Sequence, residues 1–157
     1  MIEKRLAESR IFLPNPSVAI GSYLPVVVVG DLAFVSGQIP IENGQLKFKG
    51  KVGREITLEE GQQAARLCTL NGLAQVKSKV GSLDFVSRVV KLTGFVNCDP
   101  SFMDHPKVVN GASDLLVQIF GDNGKHSRAA VGVSSLPLDS AVEIEFILQL
   151  NQQQYSS

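Results

Sequence analysis

The chain has no tryptophan and only two tyrosines among its 157 residues. Aromatic platforms of the kind that stack single-stranded bases are therefore scarce. Net charge is missing as well: 15 basic side chains balance 15 acidic ones, and no block of like sign occurs. The electrostatic footprint of a nucleic-acid binder is absent. The two cysteines, Cys68 and Cys98, stand at no metal or redox spacing. The two histidines, His105 and His126, cannot build a zinc site without several carboxylates, and none stands at helical ligand spacing. The longest apolar run, Leu24 to Val29, is too short to span a bilayer. Met1 to Pro16 carries charges and no hydrophobic stretch of signal length. These absences predict a reduced, cytoplasmic protein with no metal, no nucleic-acid partner and no membrane segment. The length suits one domain, residues 1–157, with residues 1–16 as an N-terminal extension.

What is present is a pattern of strands punctuated by two helices. Thr57-Leu58-Glu59-Glu60 is a capping box, with Thr57 as N-cap and Glu60 at the third helical position. That helix runs to about Val80 and stops at Gly81. Gly61, Ala64, Ala65, Cys68, Gly72 and Val76 share one face, a small-residue stripe that lets the backbone lie close to a sheet. Cys68 reads as packing. The second helix starts near Asp104-His105-Pro106 and ends before Gly121, with Asn110 and Ser113 at the edge of its apolar face. His105 reads as a cap or surface residue.

Strands are expected at Val26–Val29, Leu32–Ser36, Val86–Asn97, Ala129–Ser135 and Val142–Leu150, with a short extra one around Ser17 to Ile20. Gly30-Asp31 makes a two-residue hairpin turn. The order implies an α+β layer: a mixed, mostly antiparallel sheet with two helices on one face. Val27, Val29, Phe34 and Val133 cannot all lie beneath two helices, so another copy of the chain is expected on the open face.

The chemistry concentrates on few residues. Arg128 opens a small, apolar strand, and alternation puts Arg128, Ala130 and Gly132 on one face. A guanidinium there needs a carboxylate to fork onto, supplied either by an internal salt bridge or by a ligand. Glu143 and Glu145 share the face of the last strand opposite Val142, Ile144, Phe146 and Leu148. If buried, with its pKa raised, Glu143 could position water or move protons; otherwise it is ordinary solvent-facing charge. Two further segments stand out, Ile20-Gly21-Ser22-Tyr23 and Ser36-Gly37-Gln38-Ile39-Pro40. In the second, a strand ends in a glycine that a ligand can approach closely.

Taken in order, Ile20 to Tyr23, Ser36 to Pro40, Arg128, Leu136-Pro137 and Val142-Glu143-Ile144-Glu145 resemble the RidA (YjgF) family of enamine/imine deaminases. The resemblance spans roughly residues 17 to 149. It is closest to a longer branch, marked by Gly50-Lys51-Val52-Gly53, Leu58 to Gln62 and Val109-Asn110-Gly111-Ala112-Ser113. It implies a chorismate-mutase-like fold, a homotrimer with clefts between subunits, and hydrolysis of 2-imino acids to 2-oxo acids and ammonia without metal or organic cofactor. By matching position, Arg128 would grip the substrate carboxylate and Glu143 would activate water. Tyr23, Ser36, Gly37 and Asn110 would line the pocket, and Ala130 would contribute through its backbone. A non-catalytic trimer that binds 2-oxo acids is the alternative. RNA cleavage, which an older family name suggests, is disfavoured by the balanced charge.

Two departures from the family pattern stand beside the arginine. Ala130 occupies a position where many members carry cysteine, and His126-Ser127 replaces a common proline and alanine. If the last two strands form a hairpin around Leu138, Arg128 pairs near Leu148, about five positions or roughly 16 Å from Glu143. Each site would then take Arg128 from one subunit and Glu143 from its neighbour.

Overall fold

The computed structural model describes residues 1–18 and 21–151. Strand β1 (Val26–Val29) turns through Gly30-Asp31 into β2 (Leu32–Gln38). Val29 pairs directly with Leu32, a turn tight enough to need Gly30 at φ 60°. A small hairpin follows, β3 (Ile41–Glu42) and β4 (Gln45–Leu46). Helix α2 (Leu58–Val80) carries the expected capping box: Thr57 Oγ1 accepts from the Glu60 N–H, and the Glu60 carboxylate accepts from the Thr57 N–H. It ends at Gly81, with φ 96°. Strand β5 (Val86–Asn97), helix α3 (His105–Phe120), β6 (Ser127–Val133) and β7 (Val142–Leu150) complete the chain.

The sheet order is β1-β2-β7-β5-β6, antiparallel except for the parallel β5–β6 pair. Both long helices pack on one face, in the mixed layer read from the sequence. The hairpin of the last two strands does not form. β7 inserts between β2 and β5, and β6 is an edge strand paired with β5. The physical reason is that β7 carries large apolar residues, all buried, at every second position from Val142 to Leu150, a pattern that suits the middle of a sheet. The exposed, small-residue β6 suits an edge. Arg128 therefore lies in register with Leu92, and through it with Phe146, not Leu148.

Three side-chain-free positions set the layer spacing. A Cβ on Gly72 of α2 would meet the Phe146 ring at 2.5 Å, and one on Gly94 of β5 would meet Val109 at 2.4 Å. On α3, a Cβ at Gly111 would lie 2.1 Å from the Gln62 carbonyl oxygen, so the two helix backbones touch there. The core between the layers contains Val35, Cys68, Leu73, Val76, Leu92, Val109, Ile144, Phe146 and Leu148. Cys68 is fully buried and its thiol faces the Val142 carbonyl, in keeping with a packing role.

The N-terminal segment is more than an extension. Ile2–Glu8 forms helix α1, whose Leu6 is buried and whose Glu3 accepts from the Leu83 N–H and pairs with Lys77. Arg5 donates to the Ile119 carbonyl at the end of α3. The expected strand around Ser17 to Ile20 does not form at Ser17 and Val18, while Ala19 and Ile20 lie outside the described residues. Ser17 is held by Gln75 of α2. Among the described residues, no helix is long and apolar enough to cross a membrane.

Candidate functional site

The chemistry-bearing residues fall into two groups at different places on the sheet. The first is built between the start of β6 and the middle of α3. Register with Leu92 and Phe146 turns Arg128 toward the helices. Its Nη1 donates to Asn110 Oδ1 at 2.7 Å and to Ser113 Oγ at 3.2 Å. Ser113 Oγ in turn lies 2.9 Å from His126 Nε2, and His126 Nδ1 lies 2.6 Å from the Gly124 carbonyl oxygen. Both bonds made by Arg128 use Nη1. Its Nε and Nη2 bond no described residue, and no ion pair to Arg128 occurs among the described residues.

That outcome decides one question the sequence leaves open: within the described chain, Arg128 is not half of a salt bridge. The Nε–Nη2 edge is the side of a guanidinium that takes a carboxylate in a parallel fork. Ala130, two residues on and on the same face, is half-buried and small, leaving space beside it.

The second group gathers around the start of β7. Glu143 is half-buried, and Gly37 sits against it so closely that a Cβ there would be 2.4 Å from Glu143 Oε2. A bulge in the β2–β7 ladder between Val35 and Gln38 brings Gly37 to that place. Asn71 of α2 fixes the segment by donating to the carbonyls of Ile39 and Ile41. Glu143, Gly37, Tyr23, Gln38, Asn71 and Pro137 line a cleft of about 400 Å³. Glu143 makes no hydrogen bond or ion pair with a described residue. Burial pushes its carboxyl above the ordinary value of 4.5, and the charge of Glu145 adds to the rise.

Ser36, next to Gly37 in the chain, does not line the Glu143 cleft. Its hydroxyl donates to the Leu24 carbonyl, and it borders an open-face cleft of about 350 Å³ with Phe34, Lys91, Thr93 and Glu145. On that uncovered face Val27, Val29, Phe34 and Val131 are exposed, whereas Val133 is half-buried. His105 is neither cap nor free surface. It opens α3 with its ring edge-on to Phe102, and its Nε2 crowds the bare α-carbon of Gly132.

The structure thus joins Arg128 with Asn110, and Glu143 with Tyr23 and Gly37, but does not join the two sets within one chain. Glu143 is in register with Phe95 and Val131, three positions along β7 from Phe146 and two strands from β6. The separation is roughly 10 Å along the strands and roughly 10 Å across them, on opposite faces by alternation. Sequence reasoning did not assign Ser113 and His126 to the arginine. The available signal was Ser113 one helical turn after Asn110. Among the described residues no cluster of three metal-ligating side chains occurs.

Comparison with known proteins gives a consistent result. Residues 3–150 match the family profile described as "YjgF/chorismate_mutase-like, putative endoribonuclease". Protein TCP17 of Trypanosoma cruzi is 43% identical over 142 residues, 90% of this chain and 89% of that protein. The crystal structure of a protein from Shewanella oneidensis, titled a "putative endoribonuclease", superimposes with a TM-score of 0.91 at 38% identity, covering 96% of this chain and 99% of that one. RidA from a Psychrobacter species superimposes at 0.60 with 27% identity, covering 87% and 94%.

Proposed function

The chain belongs to the YjgF/chorismate-mutase-like family, and from that premise we propose that it hydrolyses reactive 2-imino and enamine acids of the 2-aminoacrylate type to 2-oxo acids and ammonia. The observation that carries this reading is the open Nε–Nη2 edge of Arg128, anchored through Nη1 to Asn110 and Ser113. It is a preformed seat for a small carboxylate, with the partly buried Ala130 beside it in place of a bulky side chain.

The chemistry asks little more than orientation and one placed water, because free imines hydrolyse readily. Glu143, ionised, takes a proton from the attacking water as the water oxygen bonds to the imine carbon, and the imine nitrogen takes a proton from solvent to give a neutral carbinolamine. The proton held by Glu143 then passes to the amino nitrogen of the carbinolamine, the C–N bond breaks to release ammonia, and the hydroxyl proton goes to solvent as the carbonyl of the 2-oxo acid forms, leaving Glu143 ionised again. Water and imino acid are consumed, and 2-oxo acid and ammonia are produced. Tyr23 and Gly37 shape the cleft on the Glu143 side, and Asn110 supports the arginine side.

Because Arg128 and Glu143 stand on opposite faces of one sheet, a small substrate cannot touch both within one chain. The site is accordingly composed from two subunits of a cytoplasmic homotrimer, Arg128 from one and Glu143 from its neighbour. The exposed Val27, Val29 and Phe34 supply the apolar surface that such packing covers.

The test generates 2-iminopropionate or 2-iminobutyrate in situ and follows ammonia release. The protein should accelerate it, and Arg128→Lys, which keeps the charge but not the fork, should raise KM about 10- to 100-fold. Arg128→Ala should cost more, and Glu143→Gln should lower kcat with little change in KM. No acceleration by the unmodified protein contradicts the deaminase reading. Retained binding of a 2-oxo acid would then leave a non-catalytic carboxylate binder.

A further inference from the structure

We propose that His126 is a positioning residue for the anion seat, acting on Arg128 through the hydroxyl of Ser113. The inference rests on the reading of Arg128 as a carboxylate seat and adds the residues that aim it. The Gly124 carbonyl can only accept, so His126 Nδ1 carries the proton of that 2.6 Å contact. In the neutral ring Nε2 is then a lone pair. The single proton of the Ser113 hydroxyl goes to Nε2 at 2.9 Å, which turns the oxygen lone pairs toward Arg128 Nη1 at 3.2 Å. With Asn110 Oδ1 taking the other Nη1 proton at 2.7 Å, both protons of that nitrogen are committed. The guanidinium plane is fixed, and the Nε–Nη2 edge points one way.

The imidazole is itself held by the fold. A short 3-10 turn, Gly121–Gly124, returns the chain over the end of α3. It packs so closely that a Cβ on Gly124 would lie 2.2 Å from the Leu116 carbonyl oxygen. That contact places the Gly124 carbonyl under His126. Without the ring, the Ser113 hydroxyl is free to donate back to its own helix, as serine in a helix commonly does, and its hold on Arg128 weakens.

The test combines kinetics of imine hydrolysis with nitrogen NMR of the arginine side chains. His126→Ala should raise KM about five- to tenfold while leaving kcat within about twofold, the effect of losing one supporting hydrogen bond. His126→Gln, whose amide oxygen can accept from Ser113, should restore KM to within about twofold. The double variant His126→Ala/Ser113→Ala should be no worse than Ser113→Ala alone, because His126 acts only through Ser113. In the free protein, the restricted Nη resonances of Arg128, assigned by their loss in Arg128→Lys, should collapse to freely rotating ones in His126→Ala and persist in His126→Gln.

An unchanged KM in His126→Ala alongside a lost one in Arg128→Ala would overturn the proposal, as would Nη resonances indifferent to position 126. A protein that turns over no imine but shows the Nη response would keep the positioning role and remove the deaminase reading.

Discussion

At the scale of single residues, the decisive contrast is between two charges that meet no counter-ion among the described residues. Arg128 has hydrogen-bond partners on one nitrogen and, among the described residues, none on its forked edge, an arrangement that orients the charge without neutralising it. Glu143 has no bonding partner among the described residues and is half-buried, so desolvation raises its carboxyl above 4.5. A carboxyl whose folded-state value is raised contributes stability only below its unfolded value and loses it as pH rises through the folded value. Glu143→Gln should therefore raise Tm at neutral pH, and the gain should vanish below 4.5. Thermal melts of both proteins across that range check the sign. The same shift sets the activity profile. As the general base must be ionised, kcat/KM should fall on acidification with a midpoint above the ordinary carboxylate value, and Glu143→Gln should show a flat, low profile.

At the scale of elements, the segment Val109 to Ser113 explains how the arginine is held. Val109 fills the space left by Gly94, Gly111 lets α3 touch the backbone of α2, and Ala112 is buried. Asn110 and Ser113, one turn apart, thereby project onto β6 at the height of Arg128. Gly111→Ala forces a methyl onto the Gln62 carbonyl and should destabilise the fold by about 1–3 kcal/mol. It should also raise KM, because pushing α3 off α2 moves Asn110 and Ser113 relative to Arg128, whereas a destabilising change in the far end of α2 should not. Denaturant unfolding and steady-state kinetics on the same samples separate the two effects.

Much of this level was legible beforehand. The capping box at Thr57, the stripe from Gly61 to Val76 and the Gly30-Asp31 turn are local signals, and each formed as read. Strand order is not local. The 3-10 turn at Pro137–Asp139 joins β6 to β7 in a way that resembles a hairpin connection, yet β7 is buried too deeply to lie beside an edge strand alone. Helix α1 was missed because Ile2 and Leu6 offer a single turn of apolar spacing. Its anchor, Glu3 to Leu83 and to Lys77, spans 80 and 74 residues, beyond the reach of any local signal. The His126–Ser113 contact escaped for a similar reason, since it depends on the turn at Gly121–Gly124 bringing β6 back along α3.

At the scale of the whole molecule, the sheet has one covered and one open face, and the open one displays Val27, Val29, Phe34 and Val131. A proposed homotrimer accounts for that surface and completes the site. Phe34→Glu adds a charge to the exposed face without entering the core, so the chain should stay folded by circular dichroism. It should sediment as a monomer and lose imine hydrolysis together with assembly. A folded, monomeric and fully active Phe34→Glu protein would separate the chemistry from the assembly.

The composition of the site from two chains is tested most directly by mixing. Arg128→Ala and Glu143→Gln proteins, each nearly inactive alone, are unfolded together, reassembled at equal ratio and assayed for ammonia release. In a cyclic trimer with random mixing, a site pairs an intact Arg128 with an intact Glu143 from the next subunit in about one case in four. Recovery of about a quarter of the unmodified activity is the predicted result. No recovery from a mixture shown to contain hybrid trimers would place both residues' work within a single chain and contradict the account.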